Sequence, residues 1–180
     1  MADSQAREHL LAALVDQAMR GGITDLSLRG LAAAIGTSHR MLLYHFGSRE
    51  GLLVAVSNAV NQAEAARLAG HENPVRVWQY YADPEMWPAV RLFFELYVHA
   101  LFGRPGTEGF FEASVESWIT ALAAEWVRAG GDETSARAQA RLTLAVTRGL
   151  LLDLLATGDR DGVTQAYERF LRHAQPPGSS

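Results

Sequence analysis

The chain has no cysteine. Disulfides and thiolate metal sites are therefore excluded, and a cytoplasmic setting is the expectation. It has no lysine either, since all 16 basic residues are arginine. An excess of positive charge is also missing: the formal net charge is −4, which argues against a strongly basic nucleic-acid binder. No run of ~18 uninterrupted apolar residues occurs, so no membrane span is expected. The segment from Met1 to Arg20 is charged and amphipathic rather than a basic start followed by an apolar run, so no signal peptide is expected. No period-two alternation suggests a strand, and no internal repeat or low-complexity run is visible. A nucleophile–base motif, a phosphate-binding glycine loop and an H-E-x-x-H pair are all absent, so the chain does not read as an enzyme. His71-Glu72 reads as a solvated turn. His39 and His45 have no carboxylate at ligand spacing, so neither a metal nor a cofactor is expected.

What is present is helical periodicity from end to end. Leu10, Leu11, Leu14, Val15 and Ala18 mark a first helix over Arg7 to Arg20, closed by Gly21-Gly22. Ser27 is placed to cap a second helix, Leu28 to Ile35, and Ser38 a third, His39 to His45. Gly36 supplies the turn between them, where a left-handed backbone is cheap only without a Cβ. After Gly47, Ser48 starts a fourth helix running to about Ala69. Gly70 to Pro74 breaks the chain, Pro74 opens a helix to Tyr81, and Asp83-Pro84 and Pro88 mark a restart. Over Ala89 to Phe102 only Arg91, Glu95 and His99 are polar, one narrow line that predicts a helix buried around most of its circumference. Glu108 to Arg128, Glu133 to Ala156 (capped by Asp132) and Gly162 to His173 complete about nine helices, and the fold class is all-α.

The first three helices form a module of about 45 residues. Its plainest reading is a small helical domain. However, two short helices across a tight turn, with Ser38, His39 and Arg40 at the exposed start of the third, also have the layout of a helix-turn-helix DNA reader. Charge permits this: Arg7, Arg20, Arg29, Arg40 and Arg49 balance Asp3, Glu8, Asp16, Asp25 and Glu50, and the rest of the chain carries the whole deficit.

The run Gly36-Thr37-Ser38, Leu42, Tyr44-His45-Phe46, Ser48-Arg49-Glu50 and Leu52-Leu53, with Ser27-Leu28-Arg29 and Leu31-Ala32 upstream, resembles the DNA-binding domain of TetR-type (tetracycline-repressor-like) transcriptional regulators. The resemblance covers roughly residues 7–60. Beyond that, only length and an all-helical layout match. Arg40 and Met41 stand where small residues are frequent, and Leu43 replaces one of two adjacent tyrosines. The resemblance implies that Arg40 pairs with guanine and that Ser38 and His39 read or position base edges. It also implies phosphate contacts from Arg29, Thr37, Tyr44, His45 and Arg49. Phe46 is expected in the core.

Three segments are then expected: residues 1–47 as the helix-turn-helix DNA-binding domain, 48–175 as a helical ligand-sensing and dimerisation domain, and 176–180 as a disordered tail. The partners expected are a double-stranded DNA operator, a small-molecule effector and a second copy of the chain, with no membrane. The helices near 108–128 and 133–156 are the expected homodimer surface, because the second is apolar nearly all round after Arg141. Arg137, Arg141 and Arg148 are expected to pair with Glu112 or Glu116. Trp78, Tyr81, Trp87, Phe94, Tyr97 and Trp118 are the residues expected to line an effector pocket, which the resemblance implies. Repression relieved by effector is the implied activity. The competing reading is a helical dimeric small-molecule-binding or interaction protein with weak or no specific DNA binding.

Overall fold

A computed structural model describes residues 2–68, 74–104 and 107–174. Among these there is no strand, and nine α-helices follow one another: α1 Ala2–Gly21, α2 Leu28–Ala34, α3 His39–Phe46, α4 Arg49–Leu68, α5 Pro74–Tyr81, α6 Trp87–Leu101, α7 Ser117–Arg128, α8 Glu133–Thr157 and α9 Arg160–His173. The all-α expectation is met. The break anticipated at Gly70, with His71-Glu72, and the tail at 176–180 lie outside the described residues. No described helix is long and apolar enough to cross a membrane.

The capping serines act as their spacing indicates. Ser27 Oγ accepts the amide of Gly30 at 3.1 Å, Ser38 Oγ that of Met41 at 3.2 Å and Ser48 Oγ that of Gly51 at 2.9 Å. Each supplies an acceptor to a first-turn amide that has no partner within its own helix. Gly36 has φ 71° and Gly47 φ 76°, so both turns of the module use a backbone that a side chain would strain.

The chain forms two compact units. The first comprises Met1–His71 and Pro84–Phe110. Here α4 packs on α1, α3 and α6, and α2 packs on α3. Its core contains Leu14, Ile23, Leu31, Leu42, Leu52, Leu53, Leu92 and Leu96, all essentially inaccessible to water. The long α4 therefore shares one core with the reader helices, and residue 47 ends the third helix without ending the compact unit. The buried face of α6 (Ala89, Val90, Leu92, Leu96) behaves as expected. The last turn of α6 does not: Val98, Leu101 and Phe102 are 48%, 63% and 77% exposed, so the narrow polar line does not mean burial on every other side.

The second unit comprises Glu72–Asp83 and Phe111–Ser180. In it α8 packs on α7 and α9, and α5 on α9. The helix expected over 108–128 forms as one helical run over 110–128 that contains a π segment. Glu112–Glu116 is a π turn that leads into α7. The Ser117 hydroxyl donates to the Glu112 carbonyl at 3.0 Å, and the Arg148 guanidinium donates to the Ser114 carbonyl. These bonds occupy backbone oxygens in the wider turn. Arg148 thus reaches the backbone of the turn. Arg137 and Arg141 do meet Glu116, at 2.8 and 3.8 Å. Both pairs are exposed and contribute about 0.2–1 kcal/mol each.

Candidate nucleic-acid interface

On α3 the apolar requirement is met by a single fully buried side chain, Leu42. With that anchor fixed, the helix period carries His39, Arg40, Leu43 and Tyr44 to solvent, and all are exposed. Tyr44 is 69% exposed, far beyond what a core tyrosine shows, and its ring meets the edge of His45 at 4.9 Å. Ser38 is exposed while its Oγ caps the helix, which leaves its hydroxyl proton free to donate. Neither His39 nor Arg40 has a hydrogen-bond or ion-pair partner among the described residues, and the same holds for Arg29 at the start of α2. Thr37 lies half-buried in the turn. Thus Arg29, Thr37, Ser38, His39, Arg40 and Tyr44 sit on or beside one short helix-turn-helix, with polar groups free to meet a partner.

Two expected phosphate contacts are placed otherwise. The Arg49 guanidinium turns inward: Nε donates to the Leu26 carbonyl at 3.1 Å, Nη2 donates to the Thr24 carbonyl, and Nη1 lies 3.7 Å from the Glu95 carboxylate. It ties the start of α4 to the α1–α2 connector and to α6. The His45 side chain is only 3% exposed. Its Nδ1 is 3.8 Å from the Asp3 carboxylate, and its Nε2 is buried without a partner. In this arrangement the ring faces α1 and not solvent. Phe46 is half-buried rather than fully so, with the Arg7 guanidinium 5.2 Å from its ring centroid.

Arg7 is the residue that sequence alone does not single out. Its Nε also donates to the His45 carbonyl at 3.4 Å, so one side chain of α1 holds the last turn of α3. Thirty-eight positions separate the pair, and no local pattern encodes such a contact.

The six residues expected to line an effector pocket do not share one environment. Trp78 is fully buried. It stacks on Tyr167 at 4.5 Å, and its Nε1 donates to the Thr164 hydroxyl at 3.0 Å. It is a packing centre between α5 and α9. The Tyr167 hydroxyl beside it has its pKa raised by burial, opposed by a hydrogen bond from Thr147. Tyr81 is half-buried, edge-on to Tyr80 at 5.5 Å, and Trp118 is half-buried in the same unit. In the other unit Trp87 is half-buried, with the Arg91 guanidinium 5.9 Å from its ring centroid. Phe94 and Tyr97 are half-buried and share a ring cluster on α6: Phe93 is 5.3 Å from Phe94, 6.0 Å from Tyr97 and 5.8 Å from Phe110. On the same helix His99 has a buried Nδ1 without a partner. Among the described residues no group of three or more His, Asp or Glu side chains is placed to hold a metal.

Residues 10–56 match the model of a family described as bacterial regulatory proteins, tetR family. No curated protein matches the chain. Among solved structures, it is similar to a putative TetR-family transcriptional regulator from Rhodococcus sp., with a TM-score of 0.74 at 20% identity over 94% of this chain and 98% of that one. It is also similar to a TetR-family member from Streptomyces coelicolor A3, with a TM-score of 0.63 at 26% identity over 91% and 96% of the two chains. A third is the multidrug binding protein EbrR, solved as its complex with ethidium, with a TM-score of 0.65 at 26% identity over 91% and 97%.

Proposed function

We propose that the chain, whose residues 10–56 match the tetR family of bacterial regulatory proteins, is a repressor that binds a near-palindromic operator as a homodimer and leaves it when a small hydrophobic or aromatic effector binds. It is a DNA-binding regulator and not an enzyme. The observation that carries the proposal is the start of α3: Ser38, His39 and Arg40 are exposed, and no described acid or carbonyl engages His39 or the Arg40 guanidinium. A guanidinium in that position pairs with guanine O6 and N7, while the Ser38 hydroxyl and His39 ring read or position neighbouring edges. Arg29, Thr37 and Tyr44 fix the register through phosphates. Residues 1–47 thus act as the reader, and 48–175 sense the effector and dimerise.

A single reader covers one half-site, and two-fold pairing covers a palindrome. Support for pairing comes from α8. Ala138, Leu142, Ala145, Gly149, Leu152 and Ala156 are all exposed and are spaced four, three, four, three and four residues apart. That spacing keeps one seam facing a partner helix. Leu142 and Leu152 are 51% and 49% exposed, and a Cβ placed on Gly149 meets nothing within 4 Å. Two α8 helices related by a two-fold axis would bury the stripe, with Ala145 and Gly149 letting the backbones approach closely.

For the effector, the ring cluster of Phe93, Phe94, Tyr97 and Phe110 offers an apolar aromatic lining, and the buried Nδ1 of His99 offers a polar anchor. The similarity to EbrR, seen with ethidium, supports a flat aromatic compound. Because α4 packs on both α3 and α6, a displacement of α6 by effector reaches the reader through α4. The effector shifts DNA affinity only by its differential affinity for the two arrangements.

Selection of bound duplexes from a random-sequence pool tests the reading. The expected product is a near-palindrome whose half-site centres lie about 34–36 Å apart or at a related spacing. Binding that depends on salt and enriches no sequence would favour the competing reading, a dimeric small-molecule-binding protein.

A further inference from the structure

Between His39 and Arg40 the outer face of α3 carries a leucine. Leu43 follows His39 by four residues and Arg40 by three, so its side chain lies between theirs in the helical projection. It is 42% exposed, whereas its neighbour Leu42 is inaccessible to water. Leu42 anchors α3 to the core, and the fold asks little of Leu43 beyond its backbone. That backbone closes the helix, where the Leu43 carbonyl accepts the Gly47 amide at 2.9 Å, a bond that any side chain at this position keeps. Met41, the other exposed apolar residue of α3, points elsewhere: it lies against α1 beside Ala6 and Leu10. Leu43 is therefore the apolar side chain that shares a face with His39 and Arg40.

We infer that Leu43 is a specificity-determining residue that reads the 5-methyl group of a thymine in each half-site. The inference rests on α3 being the base-reading helix. A leucine side chain has no donor and no acceptor, so it can neither hold a phosphate nor bond to a base edge. Among the groups that base pairs present in the major groove, the thymine methyl is the apolar one. Where the family resemblance places a tyrosine, Leu43 removes the hydroxyl and leaves apolar surface alone. Side chains at i and i+3 stand ~5–6 Å apart on a helix, and successive base pairs ~3.4 Å apart. The thymine thus falls within two base pairs of the guanine that Arg40 meets. Arg40 supplies hydrogen bonds to that guanine, and Leu43 excludes water from the neighbouring methyl group.

The test removes the methyl group and nothing else. In the duplex selected by the wild type, each half-site thymine is replaced in turn by uracil, which keeps every hydrogen-bonding group. Full-length wild type, Leu43→Ala and Leu43→Met are titrated against the set. At one thymine the wild type is expected to lose about fourfold in affinity per half-site, and about fifteenfold when both half-sites are changed. Leu43→Ala should bind the thymine and uracil duplexes alike while retaining its preference for the guanine assigned to Arg40. Leu43→Met, which keeps the apolar reach, should retain the methyl preference. A wild type indifferent to uracil at every position would overturn the inference and leave the helix-turn-helix reading in place, and this arm needs no altered protein. A methyl preference that survives in Leu43→Ala would also overturn it, since another side chain would then read the methyl. A wild type that selects no duplex would remove the inference together with the reading it rests on.

Discussion

α3 and α8 solve the same problem, a helix held against a core with one face left over, and leave opposite surfaces. On α3 the leftover face is His39, Arg40 and Tyr44 around one buried leucine; on α8 it is alanine, leucine and glycine at heptad spacing. Neither face is demanded by the fold, because solvent is indifferent to an arginine and unfavourable to a leucine at half exposure. A polar face with unengaged donors suits a polyanion. An apolar seam with an open glycine suits another apolar helix. On the proposed reading the first face takes DNA and the second another copy of the chain.

The largest effect is expected from charging the seam. Leu142→Glu combined with Leu152→Glu is expected to abolish pairing. Sedimentation should then show only the 19.6 kDa species, with operator binding lost although α3 is untouched. If the variant still dimerises, the seam lies elsewhere. Next in size, Trp78→Ala is expected to cost about 3–5 kcal/mol of stability by denaturant unfolding, since the ring fills the space between α5 and α9. A loss of effector affinity without loss of stability would make Trp78 a lining residue.

The smallest effect sharpens the contrast in how the helices start. α8 opens on Asp132, whose carboxylate accepts from the Ser135 hydroxyl, the Thr134 hydroxyl and the Ser135 amide, and whose pKa is lowered from 3.8 to about 2. A depressed folded-state pKa stabilises the fold above the ordinary value and loses that contribution as pH falls through the folded value. Stability of the wild type is therefore expected to decline between about pH 4 and pH 2 more steeply than that of Asp132→Asn, which keeps an acceptor but does not titrate. α3 opens on the uncharged Ser38, and Ser38→Ala should leave that pH slope unaltered.

Much of this was legible in the chain. The caps at Ser27, Ser38 and Asp132 and the glycines at 36 and 47 are local signals, and the elements they mark form within a residue or two of expectation. The exposed trio on α3 follows from the period once Leu42 is known to be the anchor. What was not legible depends on contacts between distant positions. Arg49 reads as a surface cation until its bonds to the Thr24 and Leu26 carbonyls are seen. His45 reads as a surface ring until α1 folds over it. The π turn at Glu112–Glu116 has no periodic signature of its own, because one added residue per turn blurs a period without ending it. An aromatic run cannot say which rings are packed and which are available, so Trp78 read like Tyr97. On α8, apolar residues nearly all round concealed which face was left over, and only burial separates Leu151 and Leu154 from Leu142 and Leu152.

On the proposed reading α3 reads bases through Arg40. Titration of wild type and Arg40→Ala against the selected duplex and against variants with each half-site base pair replaced in turn measures this directly. The expected result is a loss of about 1–3 kcal/mol on the selected duplex, with discrimination relaxed at one base pair and retained at the others. An equal loss on every duplex, or no loss at all, would contradict it.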